Sequence, residues 1–476
     1  MTAITPSETR AVAAPGRLRG YHSGAREIDE ASVEVRGELP GWLRGGLLLN
    51  GPALWDLPEG GYKHWFDGLA MMHRVSIDAN GVRYRSRFQQ TADYRASVAA
   101  RKPALPGFAT PDPLGFFGRI GKERITDNTA VAMARIGGQW VAQTETPFVT
   151  AFDPVTLETQ GHVNFTDKEK LHLMSAHGIN DADGNYWNVG VELGPKCTYK
   201  VFRVRPGSLQ REVVGRWTVP KSGYLHALAL TPTHVLVWET ALRAQPLKFI
   251  FTGNSYIDNF TWTPEAGSRI VAVSRADGSI RSWDVPPMVA FHAVQAYDDG
   301  TDIVLELCNT EPSIFGMLTL ERLRGGKPLD VVASIARYRL QAGKGSAEPE
   351  VFVPDVDLPM VHGAYWTNKR ARYAWLAGAD PQRRNPSLDR TVKVDLDAKQ
   401  VCGTYQRPNA AQLEPLFVDW PGSTEEEDGV LLVPTLADDD TGSVVAVVDP
   451  ASMQARATLH LPQVVPFGFH AAWDAA

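Results

Sequence analysis

Ten short segments rich in valine and aromatics, spread between residues 46 and 449, constrain this chain more than any other feature. GLLLNGPALW (46–55), YWNVGVEL (186–193), DIVLELC (302–308) and SVVAVVD (443–449) represent them. Each is bounded by Gly, Pro, Asp or Asn, the pattern of strands separated by turns. Asp-Gly pairs at 67–68, 183–184, 277–278, 299–300 and 428–429 add hairpin signals. Helical periodicity is weak and confined to 94–101 and 318–324. Regular short strands over this length predict an all-β protein, either a propeller or a pair of sandwiches. Neither WD nor kelch repeats occur, so the blades of a propeller would be diverged ones. Length alone suggests about three domains. No composition break marks a linker, however, and the reading is a loose arm over 1–20 followed by one domain over 21–476.

Composition excludes several classes of function. The net charge of −6 is spread without a basic stripe, which argues against nucleic acid as a partner. Cys197, Cys308 and Cys402 stand too far apart for a disulfide framework or a CxxC zinc site, so a reducing, cytoplasmic setting is expected. The polar stretch MTAITPSETRAVAAPG has no apolar signal core, and no run approaches a membrane span. The expectation is a soluble protein, or one resting on a membrane surface, with no obligate protein partner.

Four of the 12 histidines share one context. His177 in LMSAHGIND, His226 in GYLHALALT, His292 in VAFHAVQAYDDG and His470 in FGFHAAW each follow a small or apolar residue at the edge of a β-like segment. Their separations of about 50, 65 and 180 residues resemble whole numbers of propeller blades of roughly 40 to 60 residues. Histidines on the innermost strands of different blades would meet on the axis, and four neutral imidazoles suit iron, copper, nickel or zinc. Glu145 (QTETPF), Glu414 (QLEPLFV) and Asp357 (VDLPM) are acids among apolar neighbours, where an unpaired charge is costly. They are candidates to orient the rings through Nδ1–H. His64 and His73, in YKHWFDGLAMMHR, read as core; His22, His172, His234, His362 and His460 lie in polar or loop-like contexts.

At these residues the chain resembles the carotenoid cleavage oxygenase family. LLLNGPALW, YKHWFDGLAMMHR, PDPLGFFGRI with ITDNTAV, TETPFVTAFDPVTLET, AHGIND, LEPLFV and PFGFH are similar to family landmarks, in order, from about Gly20 onward. The resemblance implies a seven-bladed β-propeller, with loops and short helices forming a cap over a single Fe(II) held by His177, His226, His292 and His470. It also implies three second-layer glutamates. Glu145 and Glu414 match, whereas the third position is Asp357, one methylene shorter, with His292 as its expected partner. The HWFDG block is implied to be a structural landmark.

The implied activity is cleavage of a conjugated C=C bond of a carotenoid or apocarotenoid, with O2 as co-substrate and two carbonyl products. Thr144, next to Glu145, is placed at the open iron position. The 13 Trp, 13 Tyr and 18 Phe could line an apolar tunnel, but none is assigned to substrate. Leu114, Phe116, Phe117 and Ile120, with Arg119, Lys122 and Arg124 beside them, form a candidate membrane patch at its mouth. Cleavage of stilbene or phenylpropanoid alkenes is the runner-up, with isomerisation of retinoid esters behind it. A metal-free binding propeller and a structural zinc site are the readings from other classes.

Overall fold

The strands of the computed structural model, described for residues 16–115, 124–367, 369–382, 384–423 and 425–475, group into seven antiparallel sheets of four to six strands and one two-stranded ribbon. An inner strand of six of the sheets lines a common axial cavity, through residues such as Ala134, Asn180, Met360 and Val418, and in the remaining sheet Ala227 and Leu228, just before the strand Ala229–Leu230, do so. The sheets are therefore the blades of a seven-bladed propeller, and these strands are the innermost ones. Numbered by the chain order of their central strands, the blades begin with that of Gly45–Leu54 and end with that of Gly429–Ala437.

Burial follows from this arrangement. Central strands are sandwiched between neighbouring blades and are apolar on both faces, as in Val444–Val448, every residue of which is buried. Strands farther out alternate, as Gly81–Phe88 does. Large indoles, among them Trp187, Trp238, Trp283 and Trp375, fill the space around the central strands.

The ring is closed twice. Strand His470–Ala475 is the innermost strand of the first blade and pairs with Gly45–Leu54, with His470 opposite Asn50. Strand Glu34–Gly37 is the outermost strand of the seventh blade and pairs with Ala455–His460. Residues 16–20, expected to belong to a loose arm, instead form a 3-10 turn, Gly16–Tyr21. They are held there because the Arg17 amide donates to Asp438 (2.9 Å) and the Arg17 guanidinium donates to Asn385 (3.0 Å).

Connections between strands leave the ring on one side and form the cap. They include the helix Ala92–Ala100, whose first turn is capped by Thr91, and the short helices Pro246–Phe251, Ile314–Met317 and Leu320–Arg324. The weak periodicities at 94–101 and 318–324 thus mark real but shorter or shifted helices. Three Asp-Gly pairs (183–184, 277–278 and 299–300) sit in tight turns with the glycine at positive φ. Asp67-Gly68 differs, because Asp67 ends a 3-10 turn and is buried, accepting from Thr110 (2.6 Å) and the Ala109 amide (3.0 Å).

Candidate metal centre and apolar cavity

Four blades deliver one histidine each to the axis. His177 lies in the innermost part of the third blade, His226 immediately before the inner strand of the fourth, His292 within that of the fifth, and His470 at the start of that of the first. One ring nitrogen from each lies within 4.8 Å of all the others. His177 Nε2 and His226 Nε2 are 3.1 Å apart.

The other three blades supply carboxylates. Glu145, from the second blade, accepts from His226 Nδ1 at 2.7 Å. Asp357, from the sixth, accepts from His292 Nδ1 at 2.7 Å, and Glu414, from the seventh, accepts from His470 Nδ1 at 2.8 Å. Each acceptor fixes a proton on Nδ1, so the Nε2 lone pairs of these three rings point inward. The second Glu414 oxygen accepts from the Ala471 amide (2.7 Å), which clamps the closing strand to the seventh blade. Among the described residues, no carboxylate bonds to His177.

The centre fits a metal ion. Burial, followed by the nearness of the other rings, pushes His177 and His226 well below the usual imidazole range, so both are neutral donors. His292 Nε2 is buried without a hydrogen-bond partner, an expensive arrangement for a nitrogen with nothing to bind. With metal–nitrogen bonds of about 2.1 Å, two ligands at a right angle lie about 3.0 Å apart, close to the separation of His177 and His226. Burial pushes the Glu145 carboxyl up to about 8, against the pull of the hydrogen bond from Tyr224. A dication behind His226 would favour its ionised form.

Asp357 reaches His292 despite its shorter side chain, from a stretch of irregular backbone. A register shift lies between Asp357 and Pro359, and Asp355 and Leu358 take φ of 62° and 53°. The Leu358 amide donates to the same Asp357 oxygen at 2.8 Å.

A cavity of about 1610 Å³ opens over the centre under the cap and touches His226, His292 and His470. Trp65, Phe66, Phe108, Tyr256, Phe291 and Phe469 are on its wall, with Thr144 beside Glu145. Phe291 packs edge-on against His226 at 5.1 Å, and Phe66 edge-on against Phe469 at 5.1 Å. The HWFDG block is therefore more than a landmark, since two of its rings line the cavity. Leu114, at 46% exposure, and Leu247, at 70%, are apolar residues presented to solvent, and Leu247 also lines the cavity. Phe116, Phe117 and Ile120 lie outside the described residues.

Sequence reasoning missed Tyr224, which donates to Glu145, and Cys308, whose thiol burial and the adjacent Asp357 push well above its usual range. Tyr224 had a signal: it precedes His226 by two residues, so in extended chain it shares a face with it. Cys308 had none. His64 and His73 are buried as expected, bonded to the Phe315 carbonyl (2.9 Å) and the Tyr84 hydroxyl (2.7 Å). His362, read as loop-like, is buried against Phe417.

The profile of the RPE65 family (retinal pigment epithelial membrane protein) matches residues 21–475. The chloroplastic carotenoid cleavage dioxygenase 8 homolog B of Oryza sativa subsp. japonica is 31% identical over 96% of this chain and 84% of its own length. The mitochondrial carotenoid-cleaving dioxygenase of Macaca fascicularis is 27% identical over 92% of this chain and 91% of its own. Among solved structures, a Glu150Asp mutant of the Synechocystis apocarotenoid oxygenase superposes with a TM-score of 0.86 at 23% identity, each chain covered completely. The last likeness concerns the fold.

Proposed function

This chain belongs to the RPE65 and carotenoid cleavage oxygenase family and is an oxygenase; from that premise we propose that it is a non-haem Fe(II) dioxygenase cleaving one conjugated C=C bond of a carotenoid or apocarotenoid. Both atoms of one O2 enter the products, so that one alkene yields two carbonyl groups and no further reductant is needed. The observation that carries this reading is the meeting of four imidazoles, three of them backed by carboxylates, at the wall of a large aromatic cavity.

His177, His226, His292 and His470 would hold the iron, which supplies the one-electron chemistry that makes O2 reactive toward an alkene. The remaining work belongs to the protein. Glu145, Asp357 and Glu414 fix the tautomer and direction of three rings and offset the metal charge. Phe66, Phe291 and Phe469 form the wall nearest the imidazoles and set the register of a polyene lying across them. Thr144 borders the position left for O2. The aromatic wall excludes water, and no side chain is required to move a proton.

An apolar substrate held in a bilayer must be drawn from it. Exposed Leu114 and Leu247, with Lys248 next to the latter, support peripheral membrane contact at the cavity mouth, with Phe116, Phe117 and Ile120 as further members. Among the described residues, no helix is long and apolar enough to cross a membrane. Three free thiols fit a reducing, cytoplasmic setting.

The test is anaerobic Fe(II) loading, then exposure to ¹⁸O2 with a panel of apocarotenals, carotenoids and stilbenes, and product analysis by mass. Two labelled carbonyl products from a polyene are expected. Cleavage of stilbenes alone would reverse the substrate assignment, and no cleavage by iron-loaded protein would end it.

A further inference from the structure

The aromatic cavity has a mouth and a far end. Among the described residues, the exposed ones on its wall are His172, Pro195, Pro220, Lys221 and Leu247, all from the third and fourth blades or the link between them. Ser387, Leu388, Gln412 and Leu413 line it from the sixth and seventh blades, three places further round a ring of seven and so nearly opposite. His226, His292 and His470 border the space between. A long ligand that enters by the mouth therefore passes the imidazoles before its leading end reaches the sixth and seventh blades.

Leu329, Val331, Val332, Leu413 and Phe467 make that far end apolar, and Ser387 and Gln412 stand out among them. Ser387 is 5% exposed and Gln412 0%, and neither Ser387 Oγ nor Gln412 Nε2 has a hydrogen-bond partner among the described residues. The two residues are brought together because the Gln412 backbone amide donates to the Leu388 carbonyl at 3.0 Å. The other end of the Gln412 side chain is committed, its Oε1 accepting from Thr391 Oγ1 at 3.1 Å. That bond turns Nε2 into a free donor, while the Ser387 hydroxyl can donate or accept. Buried polar atoms without partners are costly, and a ligand that brings an oxygen to this wall removes the cost. We propose that Ser387 and Gln412 bind an oxygen at the leading end of the polyene, a terminal carbonyl or a ring hydroxyl, and so favour an oxygen-ended apocarotenoid over a hydrocarbon carotene. A carbonyl accepts from both groups; a hydroxyl accepts from Gln412 and donates to Ser387. The inference rests on the substrate class proposed above and narrows it. Anchoring one end also fixes which double bond lies over the imidazoles, so that the cleaved bond is counted from the oxygen.

The experiment reads equilibrium binding to the iron-loaded protein without O2, through quenching of tryptophan fluorescence. Three polyenes of equal length are compared: a hydrocarbon, its terminal aldehyde, and the same hydrocarbon with a ring hydroxyl. Two hydrogen bonds should make the unaltered protein bind one of the oxygenated ligands about 30-fold more tightly than the hydrocarbon, and the ligand that gains identifies the oxygen. Ser387→Ala and Gln412→Met should each lower that preference by about fivefold. No preference in the unaltered protein, or the full preference in both variants, would overturn the subsite; an equal loss of affinity for all three ligands counts as the full preference. Should Gln412→Met fail to fold for want of a partner for Thr391, Ser387→Ala decides alone, since its hydroxyl has no bond in the fold to lose. Protein that shows the preference yet cleaves no polyene once O2 is admitted would sink the function proposed above and leave the subsite standing, so the two failures are distinguishable.

Discussion

Replacing Asp357 tests how a shortened carboxylate serves the centre. Its Oδ1 accepts two hydrogen bonds, from His292 Nδ1 at 2.7 Å and from the Leu358 amide at 2.8 Å. Asp357→Asn keeps an acceptor in place but removes the charge. Hydrogen bonds to charged groups contribute about 1.5–3 kcal/mol, against about 0.5–1.5 for neutral ones. The loss at His292 is then about 1–1.5 kcal/mol, or roughly tenfold in metal affinity. Asp357→Ala removes the acceptor altogether and frees the ring to rotate, which extends the loss toward about 100-fold. It also leaves the Leu358 amide without its partner, at a further cost of about 1–3 kcal/mol in fold stability. Metal affinity is measured by competition with a chelator of known affinity, and stability by urea unfolding of the metal-free protein. The expected order of affinity is wild type, Asn, Ala. Equal affinity for all three would refute the idea that Asp357 positions His292 for a metal. Asp357→Glu is expected to weaken binding as well, because the aspartate already meets His292 Nδ1 at 2.7 Å and an added methylene would push the carboxylate past that distance.

Tyr224→Phe removes the hydroxyl that donates to Glu145, whose carboxyl burial keeps neutral near pH 7 in the metal-free protein, and should lower the stability of that protein by about 0.5–1.5 kcal/mol; a urea midpoint within experimental error of wild type would count against that bond. Phe291→Leu opens space beside His226, so the expected result is a second pair of cleavage products from a neighbouring double bond, detected by mass. A single unchanged pair would remove Phe291 from the register argument. Burial pushes His73 down to about 3, so the unfolded chain takes up a proton near the ordinary imidazole value of 6.5 while the folded protein does not. Stability is therefore intact above pH 6.5 and falls by about 1.4 kcal/mol per unit between there and the folded value. His73→Asn retains a partner for the Tyr84 hydroxyl and should lack this component, so the stability difference between the two proteins should drift with pH at that slope; a constant difference from pH 7 to 5 would exclude it.

What could be read from the chain alone was whatever local pattern encodes. Alternation and turn residues announced strands, and four histidines in matching contexts announced a meeting on an axis. Asp357 could be noticed as short, but the positive φ values beside it belong to a bulge that no alternation rule foresees. The Cys308 thiol meets Asp357 from a different blade, a contact that no spacing records. Phe66 and Trp65 sit in a block whose signature looked architectural, and only the cap shows that they face the cavity.

The pairing of Gly45–Leu54 with His470–Ala475 has a consequence for biosynthesis. A nascent chain can stack its middle blades as they emerge, and three of the imidazoles can find one another early. The fourth arrives only when segments separated by more than 400 positions zip together. Until then the half-built protein offers an incomplete cage, so capture of a metal ion there would report that the circle has shut.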